Sequence, residues 1–335
     1  MASPVFILGA GANADARGEA GAIRGRSYYI GDHEIQCSYP LVSDLLEQCF
    51  GLKALPPDTS VEDLFHRADL ERDRGPMKRL ADALMKADYY IPNAILARER
   101  SSSSYACFFN RYADARFVTF NYDSLVELFL LEHGTWFPHD GYGVPVDVSV
   151  EYGQDSWLQK RSTATVLHLH GSLCLYTSHF DVKQTAAGGE LSYRPPSFHF
   201  EPHSLGHVFA PFARGPAQFG RLDLDERVIA PVPSKASGLK EEFVSTMAAL
   251  ARTALEKSPF SAVAIGYSFV DADRESFAPL LDAILRSRRR ELVIVSPSAD
   301  EPASRLSRSW PDLAIRPENA TFSEWVKSGC PGADV

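Results

Sequence analysis

Hydrophobic positions follow two rhythms along the chain. Short, wholly or largely apolar runs at Pro4–Leu8, Arg116–Phe120, Thr163–Leu169, Arg227–Ala230, Ser261–Ile265 and Glu291–Val295 read as strands, and the first and the last two as buried ones, because such a strand has no polar side. Tyr142–Val150 alternates in the manner of a strand. Between these runs the apolar residues recur at helical spacing. Val42–Phe50 carries Leu45 and Leu46, Ser124–Glu132 is amphipathic and stopped by Gly134, and Leu239–Lys257 carries Phe243, Met247, Leu250 and Leu255. Arg274–Arg286 is a further helix between two strands. Strand, polar turn, helix, strand is the rhythm of a parallel sheet with right-handed crossovers, so the fold class is α/β.

Two segments stand outside that rhythm. Asp58–Arg100 reads as mostly helical: Ser60 with Asp63 forms an N-cap arrangement, and Leu80, Leu84 and Met85 continue a stripe to Ile95 and Leu96, with mixed charges opposite. This helical module, 55–112, either packs beside the sheet or also serves as an oligomer contact; Ser101–Ser104 is a polar joint inside it. In the second segment, 175–226, Pro195, Pro196, Pro202, Pro211 and Pro216 forbid long helices, which predicts a loop-rich insertion with short strands and turns. Residues 1–335 are read as a single domain containing both.

Composition narrows the class. A formal charge of −9 argues against a surface that grips nucleic acid all over, and the run Arg286-Ser287-Arg288-Arg289-Arg290 fits a solvated helix C-terminus favoured by the macrodipole. The five cysteines, Cys37, Cys49, Cys107, Cys174 and Cys330, form no CxxC pair, as in a reduced protein without a disulfide framework or zinc ribbon. The first residues lack a basic segment before their apolar run, and no stretch approaches the roughly 18 apolar residues of a membrane helix. The expectation is a soluble, cytoplasmic protein.

Candidate chemistry gathers at the ends of the strands. The first strand runs into Gly9-Ala10-Gly11-Ala12-Asn13-Ala14, where missing Cβ atoms let backbone amides approach a phosphate; an unliganded glycine turn reads the same way. The run Val118–Ser124 ends a strand with Asn121 and Asp123 and enters a helix directly, the position at which an open α/β sheet holds a ligand. These two residues read as the polar groups of a ribose-handling site. The strand ending His168-Leu169-His170-Gly171 places 168 and 170 on one side, with His170 at the exposed end, able to pass a proton near neutral pH; the alternative is a structural histidine. Gly266-Tyr267-Ser268, Asp271, Asp273 and Ser296-Pro297-Ser298 add hydroxyls and carboxylates at further strand ends. His199, His203 and His207 are spaced four apart, but Pro202 interrupts them and no HExxH or cysteine partner accompanies them, so no metal is expected.

Taken together, FILGAGANA (6–14), FVTFNYD (117–123), LHLHGS (167–172), AIGYSFVDAD (264–273) and LVIVSPS (292–298) resemble, in order and rough spacing, the bacterial sirtuin-like family, and most closely its anti-phage defence branch. The resemblance implies a Rossmann-like, doubly wound parallel sheet that binds NAD+. It implies that Gly9, Ala10 and Gly11, with Asn13 beside them, hold the pyrophosphate, and that Gly266, Ser268 and Ser296 line the adenosine half. The family's catalytic Asn falls on Asn121, its catalytic His on His170, and Asp123 follows as a ribose-side partner. Lys235 matches a proline-rich element of the branch to which no role is attached.

Two family features are missing from the sequence: the PDFR-type turn of the deacylating members and their four-cysteine zinc module. Without a peptide-binding wall, the resemblance implies an NAD+ hydrolase (NAD glycohydrolase) that cleaves NAD+ to nicotinamide and ADP-ribose. NAD+ is then the substrate and no metal is used. Asn121 would orient water and ribose, Asp123 would fix the ribose or its neighbour, and His170 would accept the proton. The branch further implies depletion of NAD+ in phage-infected cells, control by homo-oligomer assembly or a nucleotide signal, and separate partners such as a DNA-translocating ATPase or an argonaute-type protein. Two other readings stay open: a catalytically silent nucleotide-sensing or scaffold subunit, and a deacylase or DNA-directed enzyme.

Overall fold

Four consecutive apolar residues are satisfied only where both faces of a strand are covered. Val5–Leu8 forms that strand, β1, and no residue in it is more than 3% exposed. The computed structural model describes residues 3–16, 23–24, 34–35, 39, 42–56, 59–73, 75–97, 103–148, 159–172, 174–185, 188–200 and 242–333. The strands after β1 are β2 (Ile23–Arg24), β3 (Glu34–Ile35), β4 (Arg116–Thr119), β5 (Asp147–Val148) and β6 (Thr165–His168). They are followed by β7 (Leu175–Thr185), β8 (Gly188–Phe200), β9 (Ala262–Ile265), β10 (Glu291–Ser296) and β11 (Ala314–Asn319).

Six of these strands form one parallel sheet in the order β11-β10-β9-β1-β4-β6. Numbered by their chain order within the sheet and read from the β6 edge, they run 3-2-1-4-5-6, the doubly wound order of Rossmann-like folds. The chain winds outward from β1 through β4 to β6, then returns to the other side of β1 and winds outward again. The reversal leaves a crevice between the carboxyl ends of β1 and β9, where ligands of such sheets bind.

Helices flank the sheet in two groups. Helices α1 (Val42–Phe50), α2 (Val61–Leu70), α3 (Gly75–Ala97), α4 (Ser104–Arg111) and α5 (Leu125–His133) precede the insertion; α6 (Glu242–Lys257), α7 (Arg274–Arg286), α8 (Asp300–Ser309) and α9 (Phe322–Lys327) follow it. Helix α4 packs against α5 and α9, α3 against α1 and α5, and α6 against α7. Their ends obey local chemistry. Ser60 and Asp63 exchange bonds before α2, Ser103 accepts from the Ala106 amide before α4, and Thr321 with Glu324 forms a capping box on α9. Gly134 stops α5 with φ at +72°. An aromatic cluster beneath β1 joins the layers: the Phe6 ring lies 5.0 Å from Phe108, 4.7 Å from Tyr112 and 5.6 Å from Phe117.

Three differences from the sequence reading have local causes. The strand expected over Tyr142–Val150 shrinks to Asp147–Val148, with residues 149 and 150 outside the described set, because Gly143 at φ +73° and Pro145 turn the backbone first. Strand β11 was missed because AIRPEN mixes charge and proline; as the last strand of the sheet it tolerates both. In the insertion, β7 and β8 pair antiparallel over 11 and 13 residues, longer than the short strands anticipated, and Pro195 and Pro196 lie within β8 because proline's fixed φ suits extended backbone. Residues 201–241, with His203, His207, Arg227–Ala230 and Lys235, lie outside the described residues, as does Cys37. Among the described residues no helix is long and apolar enough to cross a membrane, and Cys49 and Cys330 are free thiols.

Candidate active site at the strand ends

The crevice begins with two glycine turns pressed together. The Gly9 amide donates to the Ile265 carbonyl at 3.0 Å and the Gly11 amide to the Gly266 carbonyl at 2.9 Å. A Cβ on Gly9 would lie 2.7 Å from the Gly266 oxygen, and one on Gly266, at φ +61°, would lie 2.0 Å from the Ala12 nitrogen. The glycines are therefore needed for contact between the ends of β1 and β9, a reason separate from any phosphate. Ala10, between them, is exposed on the rim.

Asn121 and Asp123 lie immediately beyond β4. The Asn121 amide nitrogen Nδ2 donates to the Gly9 carbonyl at 3.2 Å, and its backbone N–H donates to Thr119 Oγ1 at 3.0 Å, so this half-buried residue ties the end of β4 to the end of β1. Asp123 is buried. Its Oδ2 accepts from Asn13 Nδ2 at 2.7 Å and its Oδ1 from the Leu125 amide at the start of α5, at 3.1 Å. The structure thus brings together Asn13, Asn121 and Asp123 from two sequence blocks 110 residues apart. Burial pushes the Asp123 carboxyl well above the usual range, and the neighbouring Asp88 and Glu127 carboxylates push the same way against the Leu125 N–H.

Asp88 was not singled out in the sequence. It comes from α3, in the helical module, and is fully buried: Oδ1 accepts from Tyr39 Oη at 2.8 Å, Oδ2 from the Ser124 amide at 2.8 Å and from Ser124 Oγ at 2.9 Å. Burial raises its carboxyl from 3.8 to about 6 despite these donors. An acidic residue amid the apolar stripe Leu80, Leu84, Ala87 and Ile91 was the available signal, because a charge on a buried face needs a partner.

The two histidines separate. Strand β6 ends at His168, and His170 lies two residues beyond it, just before the Gly171 turn at φ +86°; the two rings meet different neighbours. His168 is wholly buried; Nδ1 lies 3.0 Å from the Asn121 carbonyl oxygen and Nε2 lies 2.6 Å from Glu127 Oε1, which also accepts from Tyr142 Oη at 3.3 Å. Among the described residues Glu127 Oε2 has no hydrogen-bond partner.

His170, expected at an exposed end, is only 3% exposed. Its ring stands edge-on to Phe120 at 5.0 Å, and Phe120 stacks on Tyr267 at 4.0 Å. Its Nε2 lies 3.4 Å from Ser276 Oγ and 3.8 Å from Asp273 Oδ1, while Tyr267 Oη donates to Asp273 Oδ2 at 3.1 Å. A base from the β6 side therefore meets an acid and a hydroxyl from the start of α7, across the crevice. The pairing of His170 with Asp273 could not be read from residues 103 positions apart, although both strand-end motifs had been noticed.

The remaining candidates lie on the far side. Ser268 is exposed and its carbonyl accepts from Arg305 Nη2 at 2.6 Å; Ser296 is half-buried and its Oγ accepts from the Ser298 amide at 3.3 Å. Ser268 follows β9, which borders the crevice, and Ser296 ends β10, the next strand outward. Among the described residues no group of His, Cys, Asp and Glu is arranged to hold a metal ion. The assembled site offers an amide, a carboxyl and an imidazole–carboxylate pair around a crevice, a set able to orient a ribose and accept a proton. No protein-family model matches the chain, and no curated protein matches it.

Proposed function

We propose that the protein is an NAD+ glycohydrolase, which uses water to split NAD+ into nicotinamide and ADP-ribose, releasing one proton. The observation that carries the reading is that Gly9, Asn121, Asp123 and His170 all follow the carboxyl ends of β1, β4 and β6, on one side of the crevice of a doubly wound sheet. The sequence resemblance to the sirtuin-like defence branch supplies the substrate and a role in depleting NAD+ during phage infection. Loss of nicotinamide leaves positive charge at the ribose C1′, and the enzyme must hold that sugar while water arrives. Asn121, anchored through the Gly9 carbonyl, orients ribose and water. Asp123 holds Asn13 beside them, and His170, backed by Asp273, takes the proton from the attacking water.

The direct test is release of nicotinamide from NAD+ by the pure chain, alone and with the products of neighbouring genes. Wild-type rates in Asn121→Ala or His170→Ala would overturn the assignment. One observation favours a second reading: His170 is almost completely buried, as in a site that senses a nucleotide without turning it over. Such a subunit would bind NAD+ and release no nicotinamide under any of those conditions.

A further inference from the structure

The contacts of His168 constrain its protons. A carbonyl oxygen cannot donate, so Nδ1, 3.0 Å from the Asn121 oxygen, carries hydrogen. The 2.6 Å separation of Nε2 from Glu127 Oε1, at the short limit of charge-assisted bonds, also requires a hydrogen between the atoms. The pair therefore holds one proton more than a neutral imidazole beside a carboxylate. We infer that His168 and Glu127 form a buried imidazolium–carboxylate pair whose task is to position Asn121, so that both are positioning residues of the site.

The geometry explains what that task achieves. Asn121 is held at its own N–H by Thr119 of β4, at its side chain by Gly9 beside β1, and at its carbonyl by His168 of β6. Removing the third anchor frees the peptide plane that follows Asn121 and with it the direction of the amide. The groups facing the pair are Tyr142 from the turn before β5, Asp123 from the loop before α5, and Asp88 from α3. Burial alone would lower the His168 pKa, but Glu127, the Asn121 carbonyl and Asp123 together hold it above the ordinary value. Glu127 Oε2, without a hydrogen-bond partner among the described residues, leaves the imidazolium as the chief compensation for that carboxylate.

The effect on turnover rests on the hydrolase reading; the protonation and the anchoring do not. Three measurements on the full chain separate them. Nitrogen-15 spectra of labelled histidine should show one ring with hydrogen on both nitrogens throughout neutral pH, lost on His168→Phe; a His168 ring with a single N–H overturns the charged pair. Amide exchange over residues 119–125 should accelerate in the doubly apolar variant Glu127→Leu with His168→Phe, which removes both charges together; unchanged exchange in the folded variant overturns the anchoring. If the wild type cleaves NAD+, kcat in that variant should fall about 100-fold with KM within about threefold, and Glu127→Gln, which can still accept or donate at Nε2, should lose only about tenfold. Wild-type kcat in the folded double variant overturns the positioning role. If the wild type leaves NAD+ intact under every condition, the hydrolase reading fails and the exchange result decides the pair.

Discussion

On the β1–β4–β6 side of the crevice the strand ends and the helices behind them carry buried ionisable groups: Asp123, His168, Asp88 and Glu127. On the β9–β10 side, Ser268 is exposed and Ser296 half-exposed, and the ionisable residue that enters the site, Asp273, is turned toward His170. Burying charge costs several kcal/mol per ion unless partners compensate, so the first side is built for position at the expense of stability. Hydroxyls that keep contact with solvent, as Ser268 and Ser296 do, cost little, so the second side suits binding. His170 is the junction, a residue of the first side whose polar neighbours come from the second.

The sharpest break of this comparison is at His170 and Asn121. Replacing either with Ala should lower kcat for NAD+ cleavage by about 100- to 10,000-fold with the fold retained, measured as nicotinamide release alongside a thermal melt.

The glycine turns come next and should fail in stability. Gly266→Ala combines a left-handed φ of +61° with a Cβ 2.0 Å from the Ala12 nitrogen, so it should cost about 2–4 kcal/mol in denaturant unfolding. Gly143→Ala has a similar φ of +73° but meets only side chains, the nearest at 3.3 Å, and should cost about 1 kcal/mol. Equal losses at the two glycines would remove the argument that β1 and β9 need close contact.

Asp88 tests whether the buried side is strained by its charge. Its carboxyl is raised by burial from 3.8 to about 6, so the folded protein binds that proton more tightly than the unfolded chain. Ionised Asp88 therefore costs stability above pH about 6, and the cost is relieved as pH falls from about 6 toward about 4. Asp88→Asn should flatten the melting temperature over that window. At neutral pH it should lose about 1–3 kcal/mol, because both carboxylate oxygens accept and a carboxamide offers one oxygen, so either Tyr39 or Ser124 loses its acceptor. A wild-type melting temperature that drops as pH falls from about 6 toward about 4, while the variant stays flat, would reverse the sign.

The smallest effects belong to the binding side. Ser268→Ala and Ser296→Ala should each raise KM about fivefold, the value of one hydrogen bond, and leave kcat and melting temperature nearly unchanged. A large kcat loss there would erase the division between the two sides.

Much of this arrangement was legible from local pattern. The apolar runs located β1, β4, β6, β9 and β10, helical spacing located α1, α5 and α7 to within a residue, and strand-end polarity marked Asn121, Asp123 and His170. These signals are legible because burial on a strand or helix imposes a period on neighbouring residues. Strand β11 carried no such period, since an edge strand with Pro317 needs none.

What tertiary structure alone decided is which groups face one another. Asp88 and Glu127 each sit in a helix as ordinary acidic residues until α3 and α5 turn them inward onto Ser124 and His168. His168 and His170 are near-equivalent as sequence, yet one pairs with Glu127 and the other with Asp273. Gly9 and Gly266 read as ligand-side glycines of separate turns, and their need for each other appears only when their strands lie side by side. The physical reason is common to all three. Hydrophobic period is a property of adjacent residues, whereas the state of a buried charge depends on solvent exclusion and on partners that only the packed fold supplies.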